Sequence, residues 1–168
     1  ENAHLRYSER NNPVAMSRIK KILLALLIAF IAIQFIQPAH NKSEQVLPAD
    51  FAKLYYVPKN VQTILQNACY DCHSNNTDYP WYSNIQPMAW ILAMHIKNGK
   101  EKLNFSDFGS NSIRKQISKL KNISNQIKDD EMPISSYKLM HKNARLSKEE
   151  TTLLITWFNA KADSLSNE

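Results

Sequence analysis

The stretch "NACYDCHSNN", residues 67–76, decides how this chain folds, because it holds both cysteines of the sequence. Two residues separate Cys69 from Cys72, and His73 follows directly. A Cys-x-x-Cys pair can form a redox dithiol, half of a zinc site or a local disulfide, whereas Cys-x-x-Cys-His is the attachment signature of c-type haem. The rest of the sequence must separate these four kinds of site.

Three of the four fit this sequence poorly. A thioredoxin-like dithiol needs a βαβ context, and no alternating strand pattern is present. A structural zinc site needs four ligands, and no second cysteine pair exists to supply them. A local disulfide leaves His73 without a role. The sequence therefore predicts one haem c, joined by thioether bonds to Cys69 and Cys72, with His73 as the proximal iron ligand.

Helical periodicity surrounds the motif. Apolar residues recur at helical spacing in 60–68, 88–99, 110–130 and 148–165. Asn60 is the expected N-cap of the first segment and Gly99 the expected C-cap of the second, while Ser147 and Glu150 form a capping box for the last. These signals predict an all-α fold, in which residues 60–166 form a small cytochrome c-like domain around the covalent haem.

The second axial ligand of the iron must come from later in the chain or be water. Met132, in "DEMPIS", is the predicted distal ligand, because Pro133 keeps it out of a helix. His95 and His141 are the alternatives, and an open site is the third. Methionine ligation would suit electron transfer, whereas an open position would suit ligand sensing or peroxide chemistry.

Two aromatic residues in the loop after the motif, Trp81 and Tyr82, are predicted to contact the haem edge. Ordinary core packing is the alternative interpretation for each of them.

The start of the chain contains an apolar run. Basic residues precede the uncharged segment 22–39, which predicts a cytoplasmic tail over 1–18, a single membrane-spanning anchor over 19–39 and a tether over 40–59. A cleaved signal peptide is the alternative, although "QFIQPAH" lacks the small-residue pattern of a cleavage site. Met16 is a possible true start. The body would then lie in the periplasm, on the bacterial inner membrane.

The bulk composition excludes several classes of function. The formal net charge is +6 and the charges are scattered, so the sequence predicts no nucleic-acid partner. The chain contains only two glycines, which excludes the glycine-rich loops that bind nucleotide phosphates.

Two longer stretches resemble a known family. "CYDCHSNNTDYPWYSNIQPMAWILAMHIKNGKEKLNFSDF", residues 69–108, and "EMPISSYKLMHKNARLSKEETTLLITWF", residues 131–158, are similar to the haem-binding domain family of membrane-anchored, Bacteroidetes-type c cytochromes. The resemblance covers about residues 45–160. It implies covalent haem on Cys69 and Cys72 and iron ligation by His73, while both Met132 and His141 match its pattern.

Taken together, these features predict a membrane-tethered monohaem cytochrome that carries electrons to redox partner proteins of the membrane or periplasm, rather than an enzyme. The alternative is a module with an open or histidine-lined distal site, either a haem sensor or accessory domain or, if an enzyme, a peroxidase-like one.

Overall fold

The computed structural model describes residues 17–43 and 45–167, and every regular element in these ranges is helical. The all-α prediction is confirmed for this part of the chain. The α-helices are α1 Arg18–Ile33, α2 Phe51–Leu54, α3 Lys59–Ala68, α4 Tyr70–His73, α5 Met88–Lys102, α6 Ile113–Lys128, α7 Ser135–Met140 and α8 Lys148–Ser166. Short 3-10 helices cover Trp81–Asn84, Phe105–Ser110 and Lys142–Ala144.

Helix α1 belongs to a first unit that ends at Ile36. Ser17 caps the helix by accepting a hydrogen bond from the backbone N–H of Lys20. None of its side chains is buried. The predicted anchor over 19–39 is helical only as far as Ile33, and no helix in the described ranges combines the length and the hydropathy needed to cross a bilayer. Most of the predicted tail, residues 1–16, lies outside the described residues.

The second unit starts at Gln37 and is built around a pair of long helices, α6 and α8, that pack along each other. Helix α3 and the 3-10 helix Phe105–Ser110 close the same core. Its fully or almost fully buried large side chains are Phe51, Val61, Leu65, Phe105, Phe108, Leu120, Leu154 and Phe158.

The segment 40–59 is predicted as a tether, but the structure makes it part of the folded unit. Phe51, in α2, has no exposed surface and packs edge-on against Phe105 and Phe108. Near the start of the segment, the Asn41 side chain donates a hydrogen bond to the Ser74 carbonyl at 2.9 Å. Composition alone suggests a linker, because most of the segment is polar and nothing in the sequence shows that Phe51 is buried.

Helix-end signals are partly confirmed. The capping box of α8 is present, with the Glu150 N–H donating to the Ser147 hydroxyl and the Ser147 N–H donating to the Glu150 carboxylate. Helix α3 instead begins one residue before Asn60, with Pro58 at the N-cap position. Gly99 does not end its helix, since α5 continues to Lys102.

Candidate functional site

One cavity of the second unit collects most of the residues that the sequence singles out. It is lined by the end of α3, the motif helix α4, one face each of α5 and α6, and the segment 132–137. The cavity has a volume of about 230 Å³. Its walls include Cys69, Cys72, His73, His95 and Met132. These residues span 64 positions of sequence, so the fold, not local chain geometry, brings them together.

A backbone break between α3 and α4 shapes the motif. Cys69 leaves helical geometry, with φ −127° and ψ −44°, so α3 ends and a new single turn begins at Tyr70. The N–H groups of Cys72 and His73 both donate to the Cys69 carbonyl, at 3.2 and 3.0 Å. The turn therefore places both sulfurs and the imidazole on the wall of the cavity.

The His73 ring is fixed by the end of α5. Its Nδ1 lies 3.0 Å from the Gly99 carbonyl oxygen and 3.1 Å from that of Leu103. A carbonyl only accepts hydrogen bonds, so Nδ1 carries the proton and Nε2 keeps its lone pair. Burial lowers the pKa of His73 and so favours the neutral imidazole. A neutral histidine held through one ring nitrogen is the usual state of a metal-binding histidine.

Gly99 brings α5 this close to the motif. A Cβ atom at this position would lie 2.6 Å from the Cys72 carbonyl oxygen and 3.3 Å from the Cys72 Cβ. No side chain fits there without moving the backbone of the motif. Gly99 is therefore required for close approach of two backbones, and not as the helix terminator that the sequence predicts.

Both cysteine thiols are unpaired and half-buried. Burial, with Cys72 as a smaller cause, raises the pKa of Cys69 to about 12. Burial, with Asp71 as a smaller cause, raises the pKa of Cys72 to about 11. Thiols with such pKa values stay protonated at neutral pH, which does not suit a redox dithiol that attacks disulfides as a thiolate.

Asp71, between the two cysteines, connects the motif to Asp78 and Tyr137 by hydrogen bonds. Its Oδ1 accepts a hydrogen bond from the Asp78 N–H at 2.8 Å, and its Oδ2 accepts one from the Tyr137 hydroxyl at 2.5 Å. Tyr137 lies on the cavity wall in α7, just after Met132 and Pro133. Burial and the bond to Asp71 raise the pKa of Tyr137 above its ordinary value, so the hydroxyl remains a donor.

The three candidate distal ligands occupy different surroundings. Met132 lies on the cavity wall and comes from the segment between α6 and α7. His95 also lines the cavity, but it is on α5, one turn before the Gly99 carbonyl that holds His73. His141 lies away from the cavity wall: its Nε2 is 2.7 Å from the Tyr82 hydroxyl, and its ring stacks on Tyr137 with centroids 4.1 Å apart.

The two predicted aromatic contacts are not among the residues that line the cavity. Trp81 is 76 % exposed, and it meets Tyr82 edge-on. Tyr82 is buried and packs against Leu92 and Ile96. Cys72 of the motif packs against the same cluster, and the Tyr82 hydroxyl lies 2.7 Å from His141 Nε2.

Sequence reasoning did not find the polar side chains of the cavity. Apart from the two histidines, which the sequence did single out, these are Asn98, Lys102, Lys119, Asn122, Gln126 and Tyr137. The Lys119 ammonium donates to the Lys102 carbonyl, and burial, with Lys115 as a smaller cause, lowers its pKa. Positions 115, 119, 122 and 126 follow helical spacing along α6, but the sequence shows only a lysine-rich face and no signal that part of it borders a cavity.

The donor set is consistent with haem rather than a bare metal ion. Within the described ranges, no three His, Cys, Asp or Glu residues cluster closely enough to hold an ion. A haem needs far fewer protein donors, because its porphyrin supplies four of the six ligands of iron. The cavity offers two thiols, the imidazoles of His73 and His95 and one thioether on largely apolar walls. Lys102 and Lys119 could neutralise propionates. The residues present therefore fit the cofactor that the motif implies.

Comparison with known proteins agrees with this assignment. The family model of the haem-binding domain matches residues 28–160. Neither the curated proteins nor the solved structures contain a match. The matched range contains the haem motif, the Gly99 contact and Met132, and extends over more than half of the sequence. The chain therefore belongs to the haem-binding domain family.

Proposed function

We propose that this protein is a monohaem c-type cytochrome, attached to a membrane, that transfers electrons. The observation that carries the proposal is the presence of Cys69, Cys72, His73 and Met132 on the wall of one cavity. Cys69 and Cys72 would hold the haem covalently, His73 would bind its iron through Nε2, and Met132 would be the second axial ligand. The bound haem would supply one-electron chemistry, at a potential that methionine ligation raises.

Two features of the chain support this division of roles. The Gly99 and Leu103 carbonyls fix the tautomer and the orientation of His73, as partners of a ligating histidine usually do. Met132 stands in non-helical backbone next to the buried Pro133, on an element separate from the α5 helix that supports His73. His95, in contrast, shares α5 with Gly99, one of the two partners of His73, which makes it a weaker candidate for the second iron ligand.

Membrane attachment through the N-terminal segment is part of the same proposal. The support is the α1 helix, whose first turn carries Arg18, Lys20 and Lys21 and whose remainder is apolar. This charge pattern fits an inner-membrane protein whose second unit faces the periplasm. Haem attachment to Cys-x-x-Cys-His takes place outside the cytoplasmic membrane in the bacterial cytochromes that this chain resembles.

Covalent attachment can be tested with the full chain produced in bacteria that carry a haem-attachment system. We expect the purified protein to keep its haem absorbance after denaturation and acid–acetone extraction, because thioether bonds survive both. The Cys69→Ser/Cys72→Ser double variant should lose that absorbance. A wild-type protein that is colourless after extraction would refute covalent binding.

The distal ligand can be tested by four alanine variants in the same background. Met132→Ala should convert the low-spin spectrum to a high-spin one and lower the reduction potential. Met140→Ala is the matched control, since Met140 lies in α7 and does not line the cavity. An unchanged spectrum for Met132→Ala, with a change for His95→Ala or His141→Ala, would assign the ligand to that histidine instead.

Peroxide chemistry is a second candidate function, because His95 offers an imidazole in the cavity wall. This function requires rapid peroxide turnover by the purified protein that is lost in His95→Ala. Slow turnover that does not depend on His95 leaves electron transfer as the function.

A further inference from the structure

The second unit carries an exposed apolar surface next to the site. Twelve of its large apolar side chains are exposed, and half of them fall between residues 81 and 94. We call this surface the 81–94 face; its members are Trp81, Ile85, Met88, Trp90, Ile91 and Met94. Such a concentration is unusual for a surface that only meets water.

Helix α5 carries four of these exposed side chains and is apolar on two opposite sides. Its inner side buries Ala89, Leu92 and Ile96. Its outer side presents Trp90 and Met94, which stand one turn apart and are 37 % and 52 % exposed. A helix at the surface of a protein in water normally carries polar residues on its outer side.

The start of the folded unit is fixed to the same place. Gln37, its first residue, donates a side-chain hydrogen bond to the Asn84 carbonyl at 3.0 Å and accepts one from the Gln86 side chain at 3.3 Å. Asn84 and Gln86 lie between the members of the 81–94 face. Only residues 34–36 separate Gln37 from the end of the apolar α1 helix, and these four peptide steps span at most about 14 Å.

The charges around the 81–94 face indicate what kind of surface it would contact. No acidic residue occurs between Asp78 and Glu101. Two lysines lie in this interval: Lys97 is exposed, and the Lys100 ammonium, which is partly buried, donates to Asn41 Oδ1. Exposed tryptophans with neighbouring lysines are typical of protein surfaces that rest on the headgroup layer of a bilayer containing anionic lipids. A site for a basic or acidic protein partner would be expected to carry a denser charge of one sign.

We propose that the 81–94 face docks onto the surface of the lipid bilayer into which α1 inserts. This inference rests on the proposed membrane attachment and adds an orientation to it. Trp81, Trp90 and Met94 enter the headgroup layer, and Lys97 lies at its edge. Docking holds α5, and with it one wall of the cavity, at the membrane surface.

The test is hydroxyl-radical footprinting of the full haem-loaded chain in vesicles of mixed neutral and anionic lipids. The chain provides its own matched control, because Met94 and Met140 are 52 % and 45 % exposed and lie on different helices. Vesicles that carry the chain are first isolated by flotation. We expect oxidation of Met94 to fall at least about threefold relative to Met140 when the apolar face leaves water, with Trp81 protected and Tyr56 not.

The other outcomes separate the two proposals. A chain that floats with the vesicles but shows equal oxidation of Met94 and Met140 overturns the docking inference and leaves membrane attachment intact. A chain that does not float overturns both. Protection of Met94 that disappears when the protein is diluted in excess lipid assigns the face to a second copy of the chain and also overturns bilayer docking.

Discussion

Replacing Gly99 by alanine should destabilise this protein, although Gly99 lies inside helix α5, where alanine is normally the better residue. The new Cβ would stand 2.6 Å from the Cys72 carbonyl oxygen, so the two backbones must move apart by about 0.8 Å to reach the 3.4 Å at which ordinary contact begins. The same movement lengthens the 3.0 Å bond from His73 Nδ1 to the Gly99 carbonyl beyond hydrogen-bonding distance.

The magnitudes decide the sign of the effect. Overpacking of this kind costs about 1–3 kcal/mol, and a lost hydrogen bond costs about 1 kcal/mol more. The gain in helix propensity from glycine to alanine is about 1 kcal/mol. The free energy of unfolding should therefore fall by about 1–3 kcal/mol in Gly99→Ala.

Urea unfolding of the full chain measures this difference, and an exposed position of the same helix supplies the control. At Lys97, alanine should be about 1 kcal/mol more stable than glycine, since only helix propensity acts there. The opposite order at position 99 is the signature of the contact with Cys72. A Gly99→Ala protein that is more stable than wild type would refute the reasoning.

Three further predictions concern the core and the motif. Phe51→Ala should lower the free energy of unfolding by about 3–5 kcal/mol, because Phe51 is fully buried. Tyr56→Ala, at an 88 % exposed position, should change it by less than about 0.5 kcal/mol. If urea unfolding gave similar values for the two variants, residues 40–59 would not be part of the core. Burial lowers the pKa of His73 below its ordinary 6.5, so the folded chain without haem binds fewer protons than the unfolded chain below that pH. Its stability should fall as the pH is lowered from about 7 to about 5, and the fall should be smaller in His73→Gln; equal pH slopes in urea unfolding would exclude this origin. A thiol of pKa about 11, as in Cys72, is about one part in a thousand thiolate at pH 8. Iodoacetamide should therefore modify Cys69 and Cys72 at least about tenfold more slowly in the haem-free folded chain than in the chain unfolded by urea. Equal rates by mass spectrometry would show that folding does not shield the thiols.

The sequence predicted the features that depend on residues close together in the chain, namely the helices and the start of α8. The helical class follows from apolar spacing, and the start of α8 follows from the Ser147 and Glu150 pair, because both halves of a capping box lie within one turn. The apolar spacing predicted over 110–130 also identifies the buried side of α6 from its middle to its end, where Leu120 and Ile127 are buried, although Ile113 at its start is 52 % exposed. The existence of these helices therefore needs no knowledge of the tertiary fold.

What the sequence could not predict depends on contacts between distant segments. Glycine near the end of an apolar run looks like a C-cap, and only the position of Cys72, 27 residues earlier, shows its real role. The bond between Asp71 and Tyr137 joins positions 66 residues apart. Phe51 looks like one aromatic residue in a polar linker until Phe105 and Phe108 are folded around it.

The two carbonyls that hold His73 also limit how α5 can vary in evolution. They belong to Gly99, in the last turn, and to Leu103, just after the helix ends. Inserting or deleting one residue of α5 before Gly99 would rotate everything beyond that point by about 100°. It would turn both carbonyls away from the imidazole. Relatives of this protein should therefore tolerate length changes after residue 104, where the backbone no longer contacts His73, but keep a constant spacing between the start of α5 and residue 103.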